Sequence, residues 1–354
     1  MPAEPVGKAS RRGGDVSRCL LVVLVAAAFV TTLPLAAGAG SVSDAVDGNT
    51  CGLDLTWELN GTDLTIAGSG DMRNYDDSVD RAPWGTGITS VTFSPNPGET
   101  MTIGEGAFSG CAGLTSLTIP DSVTSIGRNA FENCSGLTSL TIPDSVTSID
   151  RSVFENCSGL TSLTIPDSVT SIDRSAFENC SGLTSLTIGN DVETIGEKAF
   201  SHCEKLTAVD IPDSVTSIGD YAFSGCAGLT SLTIPDSVTS IGDWAFSGCL
   251  NLTDLTIGSS VESIGDNAFF YCYFLTSVTI PDSVKYIGEE AFEGCRLSTV
   301  YYDSSGLALH PDDGCWPEAG GIQFIDAGTG TSPTVRWIRV PESSPRPMFS
   351  SRTR

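Results

Sequence analysis

Histidine is nearly missing from this chain: His202 and His310 are the two found in 354 residues. Imidazole is the commonest general acid–base and a frequent zinc ligand, so two distant copies leave little room for either chemistry. The 12 cysteines include no Cys-x-x-Cys pair, which removes the usual thiolate metal clusters. No nucleophile elbow, phosphate loop or metal signature is present, and no cofactor is implied. Cations are scarce: 18 Lys+Arg stand against 43 Asp+Glu, for a net charge of -25. Such a surface repels nucleic acid and anionic membranes, both of which bind through cationic groups. Beyond residue 40 no apolar run approaches the roughly 20 residues that cross a bilayer. The C-terminus shows no lipid or sorting signal.

The first forty residues have a character of their own. Lys8, Arg11, Arg12 and Arg18 precede an apolar run from Cys19 to about Ala37, and Ala37-Gly38-Ala39 ends it with small residues. This order reads as a secretory signal peptide over 1–39, leaving no membrane span in the mature chain. The competing reading is an uncleaved anchor, because the run is close to the bilayer length.

What is abundant is repetition. Phenylalanine recurs at 108, 131, 154, 177, 200, 223, 246, 269 and 292, always 23 residues apart, and cysteine keeps the same step from 111 to 295. One unit, from Leu229, reads LTSLTIPDSVTSIGDWAFSGCLN. Leu232 and Ile234 lie two apart, so a strand points both inward and leaves Ser231 and Thr233 outside. Pro235-Asp236-Ser237 turns the chain. Val238 to Ile241 forms a second extended piece, Gly242-Asp243 turns again, and Ala245-Phe246 enters a short helical or irregular return. A single unit cannot bury its own apolar groups. Stacked units can, because each covers the next.

The LTSLTIPDSVTSIG…AF…C unit resembles the leucine-rich repeat of BspA-like, or Treponema pallidum-type, surface proteins over about residues 88–302. Cys51-Gly52-Leu53, Trp57, Leu59, Leu64-Thr65-Ile66, Gly68, Gly70, Met72 and Ala82-Pro83-Trp84 resemble the module that often precedes such arrays. The resemblance implies an extracellular or cell-surface location and roles in adhesion and host or matrix protein binding. One departure is plain: the commonest leucine-rich repeats carry an Asn ladder after the strand, and here Ser follows the turn while a Cys ladder lies elsewhere.

The expected fold is a leucine-rich-repeat solenoid of short parallel β-strands, turns and short helical returns. A small β cap over 40–87 should precede the array at 88–302, with a hairpin through Asn60-Gly61. Residues 303–340 should form a second cap using Trp316, Phe324 and Trp337, and 341–354 read as a disordered tail.

Candidate sites are few. Stacked cysteines would sit ~4.8 Å apart, farther than a disulfide's Cβ spacing, so the ladder reads as buried thiols. The pairing of Cys51 and Cys315 stays open. Asp121, Asp144, Asp167, Asp213, Asp236 and Asp282 read as turn formers rather than a calcium ladder. Outward Ser and Thr, as at Ser231/Thr233, form a hydroxyl lattice that Ala208/Asp210 and Asp254 interrupt. That lattice resembles some ice-binding β-helical faces, although Ser and Thr suit any exposed strand. Tyr221, Trp244, Phe270, Tyr271, Tyr273, Phe274 and Tyr286 gather in the later repeats, either as interface anchors or as packing for the second cap. Asn60, Asn133, Asn156, Asn179 and Asn251 begin Asn-x-Ser/Thr sequons. The expected ligand surface is Tyr221, Trp244, Tyr271, Tyr273, Ser231, Thr233 and Asp254. Its partner should be an extracellular protein or glycan. The rivals are a self-associating envelope or biofilm component and an enzyme with its site in 303–340.

Overall fold

The computed structural model describes residues 49–75, 80–302, 314, 316 and 322–326. The chain divides into two units, Met1–Ala45 and Val46–Arg354, and every described residue belongs to the second. The expected signal peptide, the tail at 341–354, most of 303–340, Trp337 and Cys315 lie outside the described residues.

Two antiparallel strands open the unit, β1 (Gly52–Asn60) and β2 (Asp63–Met72). Asn60 pairs with Asp63, and Gly61 takes a φ of 68° in the turn between them, a conformation glycine adopts without steric cost. The far edge of β2 pairs in parallel with β3 (Ser90–Pro95) and β4 (Met101–Ile103). The hairpin thus seeds the parallel ladder that the repeats continue.

Most later coils contribute two short strands. The Ser-Ile pieces stack into one unbroken seven-stranded parallel sheet from Ser148–Ile149 to Tyr286–Ile287. The Ser-Leu-Thr pieces form shorter parallel sheets, such as Ser162–Thr164 on Ser185–Thr187. At Asp210 this second ladder thins to isolated bridges with Thr187 and Thr233. Buried positions of the repeats pair like with like: Ile172 meets Ile195, and Leu232 meets Leu255. A one-residue slip would turn every buried side chain outward, so burial fixes the register.

The core is a set of columns. All nine repeat phenylalanines are fully buried, and successive rings stack 5.0–5.5 Å apart within 14° of parallel. Such offset stacking adds about 0.5–1.5 kcal/mol per pair beyond area burial. Tryptophan ends the column at both sides. Trp84 stacks on Phe108 at 5.6 Å, with its Nε1–H donated to the Ala107 carbonyl, and Trp316 stacks on Phe292 at 5.1 Å.

The helical returns expected at Ala245-Phe246 and its equivalents do not form; no described residue is helical. Alternate backbone N–H groups there reach the next coil, as from Trp244 to Asp266, Phe246 to Ala268 and Gly248 to Phe270. The intervening N–H groups close tight turns, as from Ser247 to Trp244. Two residues per coil also hold a left-handed φ, Trp244 at 59° and Gly248 at 72°, and a right-handed helix cannot pass through them. Coil-to-coil bonding and these turns therefore give the return an irregular path rather than a helical one.

The turn serine acts between coils as well. The Ser168 hydroxyl donates to the Val146 carbonyl at 2.8 Å, and Ser237 and Ser283 repeat the bond to Val215 and Val261. Ser168→Ala should cost about 1 kcal/mol, read as a lower denaturant midpoint with an unchanged slope.

Candidate ligand-binding surfaces

The cysteine column is structural. Eight thiols at 23-residue steps, Cys134 to Cys295, each donate to the carbonyl of the phenylalanine in the preceding coil at 3.2–3.6 Å. Burial makes Cys180 and Cys157 less acidic, the first raised from 9.0 to about 12 and the second well above 9.0. A thiol held protonated this way is a poor nucleophile and a poor metal ligand. Among the described residues no group of three His, Cys, Asp or Glu could hold a metal ion.

The expected ligand residues fall into three places. Ser231, Thr233 and Asp254 lie exposed on the outer strand face, where Ser231 pairs with Asp254 and Thr233 with Thr256. Tyr221 and Trp244 sit one coil apart at the first left-handed position, with φ of 59°. Their rings stack at 5.9 Å and are only half exposed. Lys198 covers the Tyr221 ring at 5.8 Å, and the Phe270 edge meets Trp244 at 5.3 Å. Gly106 and Asn129 occupy the same position in earlier coils. A bulky residue there carries backbone strain of order 1–3 kcal/mol. Tyr221 and Trp244 are thus ladder rungs as much as anchors.

Tyr271 and Tyr273 are exposed, at 51% and 39%. Phe270 links Tyr271 to the Trp244 stack, with ring centroids 4.6 Å apart. Tyr273 meets Phe274 edge-on at 5.3 Å, and the Arg296 guanidinium lies 4.0 Å over its ring. Leu250, 44% exposed, precedes Tyr273 in the same column. Tyr286 donates its hydroxyl to Asp266, whose carboxylate pushes the phenol above its ordinary value.

Two of the surface grooves follow the repeat columns. One, of about 940 Å³, runs along the strand face past Thr141, Thr164 and Thr187, beside Asp144, Asp167 and Asn190. Here Asp167 accepts the Asn190 backbone N–H at 2.7 Å, so this turn aspartate bonds the next coil. The other, of about 410 Å³, follows an asparagine ladder that sequence reading missed. Asn156 Nδ2 donates to Asn133 Oδ1, and Asn179 Nδ2 to Asn156 Oδ1, both at 2.9 Å. The signal was present as Asn at one 23-residue step, at a site of left-handed φ near 60° that Asn tolerates better than most residues.

Parallel coils, like-with-like pairing and uninterrupted core columns define a leucine-rich-repeat solenoid. Six repeat copies over 84–207 and 193–310 match the model of the BspA type leucine rich repeat region. The chain belongs to that family. A leucine-rich repeat protein of Eubacterium ventriosum is 25% identical, with a TM-score of 0.52 over 78% of this chain and 77% of its own. A leucine rich cell surface protein of Faecalibacterium prausnitzii is 26% identical, with a TM-score of 0.38 over 80% and 96%. The leucine-rich repeat protein of T. pallidum is 26% identical, with a TM-score of 0.38 over 70% and 90%. No curated protein sequence matches. Among the described residues no helix is long and apolar enough to cross a membrane.

Proposed function

We propose that this chain is an exported, extracellular repeat scaffold that binds a protein or glycan and performs no catalysis. Membership of a surface-type repeat family supports export, as does the basic, then apolar, then small-residue order of residues 1–39. One observation carries the binding reading. Tyr271, Tyr273, Phe274 and Leu250 stand 39–51% exposed together, while the equivalent positions of an earlier coil are Asn156, Ser158, Gly159 and Ser135. Scattered exposed apolar residues are ordinary, but neighbouring ones mark interfaces. Coil stacking does not require them, because earlier coils stack without them.

Repetition supplies its own control. Tyr273→Ser with Phe274→Gly rebuilds residues that coil 160–182 already carries at the equivalent positions, Ser181 and Gly182. Probing an array of extracellular proteins and glycans with the full chain should give a partner whose affinity falls at least tenfold in this variant, with melting unchanged. Absence of any ligand, or a ligand indifferent to the reversion, would refute the proposal.

A further inference from the structure

The aromatic group and the asparagine ladder lie on the same two columns. One column reads Asn133, Asn156, Asn179, His202, Gly225, Gly248 and Tyr271; its neighbour reads Ser135, Ser158, Ser181, Glu204, Ala227, Leu250 and Tyr273. The early coils thus present amides and hydroxyls, and the middle coils lose their side chains at Gly225 and Gly248. Aromatic rings then close the far end. From the geometry of this strip we infer a binding site for an extended neutral glycan. The inference rests on the binding reading above and narrows it to one ligand class.

The amide end is organised for hydroxyl groups. Each ladder bond uses one N–H and one acceptor site of an asparagine amide, which has two donors and two lone pairs. The remaining donor and acceptor are held in a fixed orientation beside a serine hydroxyl, in a groove of about 410 Å³ that ends at His202 and Glu204. A sugar hydroxyl is likewise both donor and acceptor, so one group can satisfy both partners.

The floor and the far end suit the apolar faces of sugar rings. Gly225 and Gly248 hold φ of 74° and 72°. The His202 ring lies over Gly225, where a Cβ would come within 2.6 Å of Nδ1; the Tyr271 ring lies over Gly294, where a Cβ would come within 2.7 Å of Cδ2. The glycines therefore admit rings that lie along the coils. Aromatic faces rimmed by polar groups bind amphipathic ligands.

A peptide fits less well. The backbone N–H groups of Asn133, Asn156 and Asn179 already bond the next coil at 2.8 Å, so no strand edge is offered to an extended main chain. Charge excludes an acidic glycan. Glu132, Glu155 and Glu178 form the adjoining column, and burial together with the neighbouring carboxylates raises the Glu155 carboxyl. A sulfated or uronate chain would meet this row and a net charge of -25.

The test uses the full chain against immobilised neutral glucans, mannans and galactans, with heparin and alginate as anionic counterparts. Neutral oligosaccharides of increasing length follow by calorimetry. Six coil steps separate Asn133 from Tyr271, about 29 Å at ~4.8 Å per step. Affinity for a neutral glycan should rise with length up to that span and then level. Ser158→Arg, which blocks the groove, and Tyr271→Asn, which restores the ladder residue, should each weaken it at least tenfold. Should Ser158→Arg fold poorly, Ser135→Arg and the length dependence still decide. Binding restricted to anionic glycans, neutral binding insensitive to these changes, or a protein ligand without any glycan would overturn the inference. The last result leaves the broader binding reading standing, whereas no ligand of either kind removes both.

Discussion

Raising the pH from 9 towards 12 is expected to unfold the coil stack, with a steepness set by its buried thiols. A thiol in the unfolded chain ionises near 9.0, whereas Cys180 in its column holds its proton to about 12. The folded state therefore binds more protons than the unfolded state across that window. Stability is fully present below pH 9 and is lost as pH rises, by about 1.4 kcal/mol per unit for each such thiol. Desolvation also raises Cys134 and Cys157, so several coils lose stability together. Melting temperature should change little between neutral pH and pH 9 and fall steeply above it. Cys180→Ala should lower stability at pH 7, by lost packing and a lost bond to the Phe154 carbonyl, yet show a shallower alkaline slope. Equal slopes in both proteins would mean the thiols are not the cause.

Phe177→Ala should cost about 3–5 kcal/mol, among the largest effects of any single core change. Its ring is fully buried and stacked on both sides, 5.4 Å from Phe154 and 5.4 Å from Phe200. Removing it leaves a cavity in mid-column that neither neighbour can fill. Contacts in a solenoid are between adjacent coils, so a weak interface uncouples the segments on either side. Calorimetry should show a single transition in the parent chain and two in the variant. Phe292→Ala, beside the terminal Trp316, should unfold the last coils first and leave the main transition nearer its parent position.

The two predictions rest on parts of the fold that were unequally legible in the sequence. The phenylalanine column follows from period alone: a large apolar group returning every 23 residues has nowhere to go except against its own copies. The inward pair Leu232 and Ile234 follows from strand alternation, and both are buried. Whether the return at Ala245-Phe246 is helical or irregular was not legible in the sequence. The backbone partners of this segment lie one coil away, and no window shorter than a repeat contains them. The asparagine ladder was hidden for a related reason. Asn133, Asn156 and Asn179 stood out as sequons, a local pattern, whereas their physical partners are each other. The aromatic site was legible in composition but not in arrangement. Tyr221 and Trp244 read either as anchors or as cap packing, and the left-handed backbone makes them stacked, half-covered rungs as well. Tyr271, Tyr273, Phe274 and Tyr286 are the members that reach solvent.

Tryptophan at both ends of the phenylalanine column has a bearing on heredity. Trp84 and Trp316 each stack on a repeat phenylalanine, and any coil provides one. Stretches 137–159 and 160–182 differ only at Val153 and Ala176, so recombination between their coding copies would excise or duplicate a whole coil and leave both termini as they are. Isolates of the source organism should therefore carry alleles whose lengths differ by multiples of one repeat, every one of them able to fold.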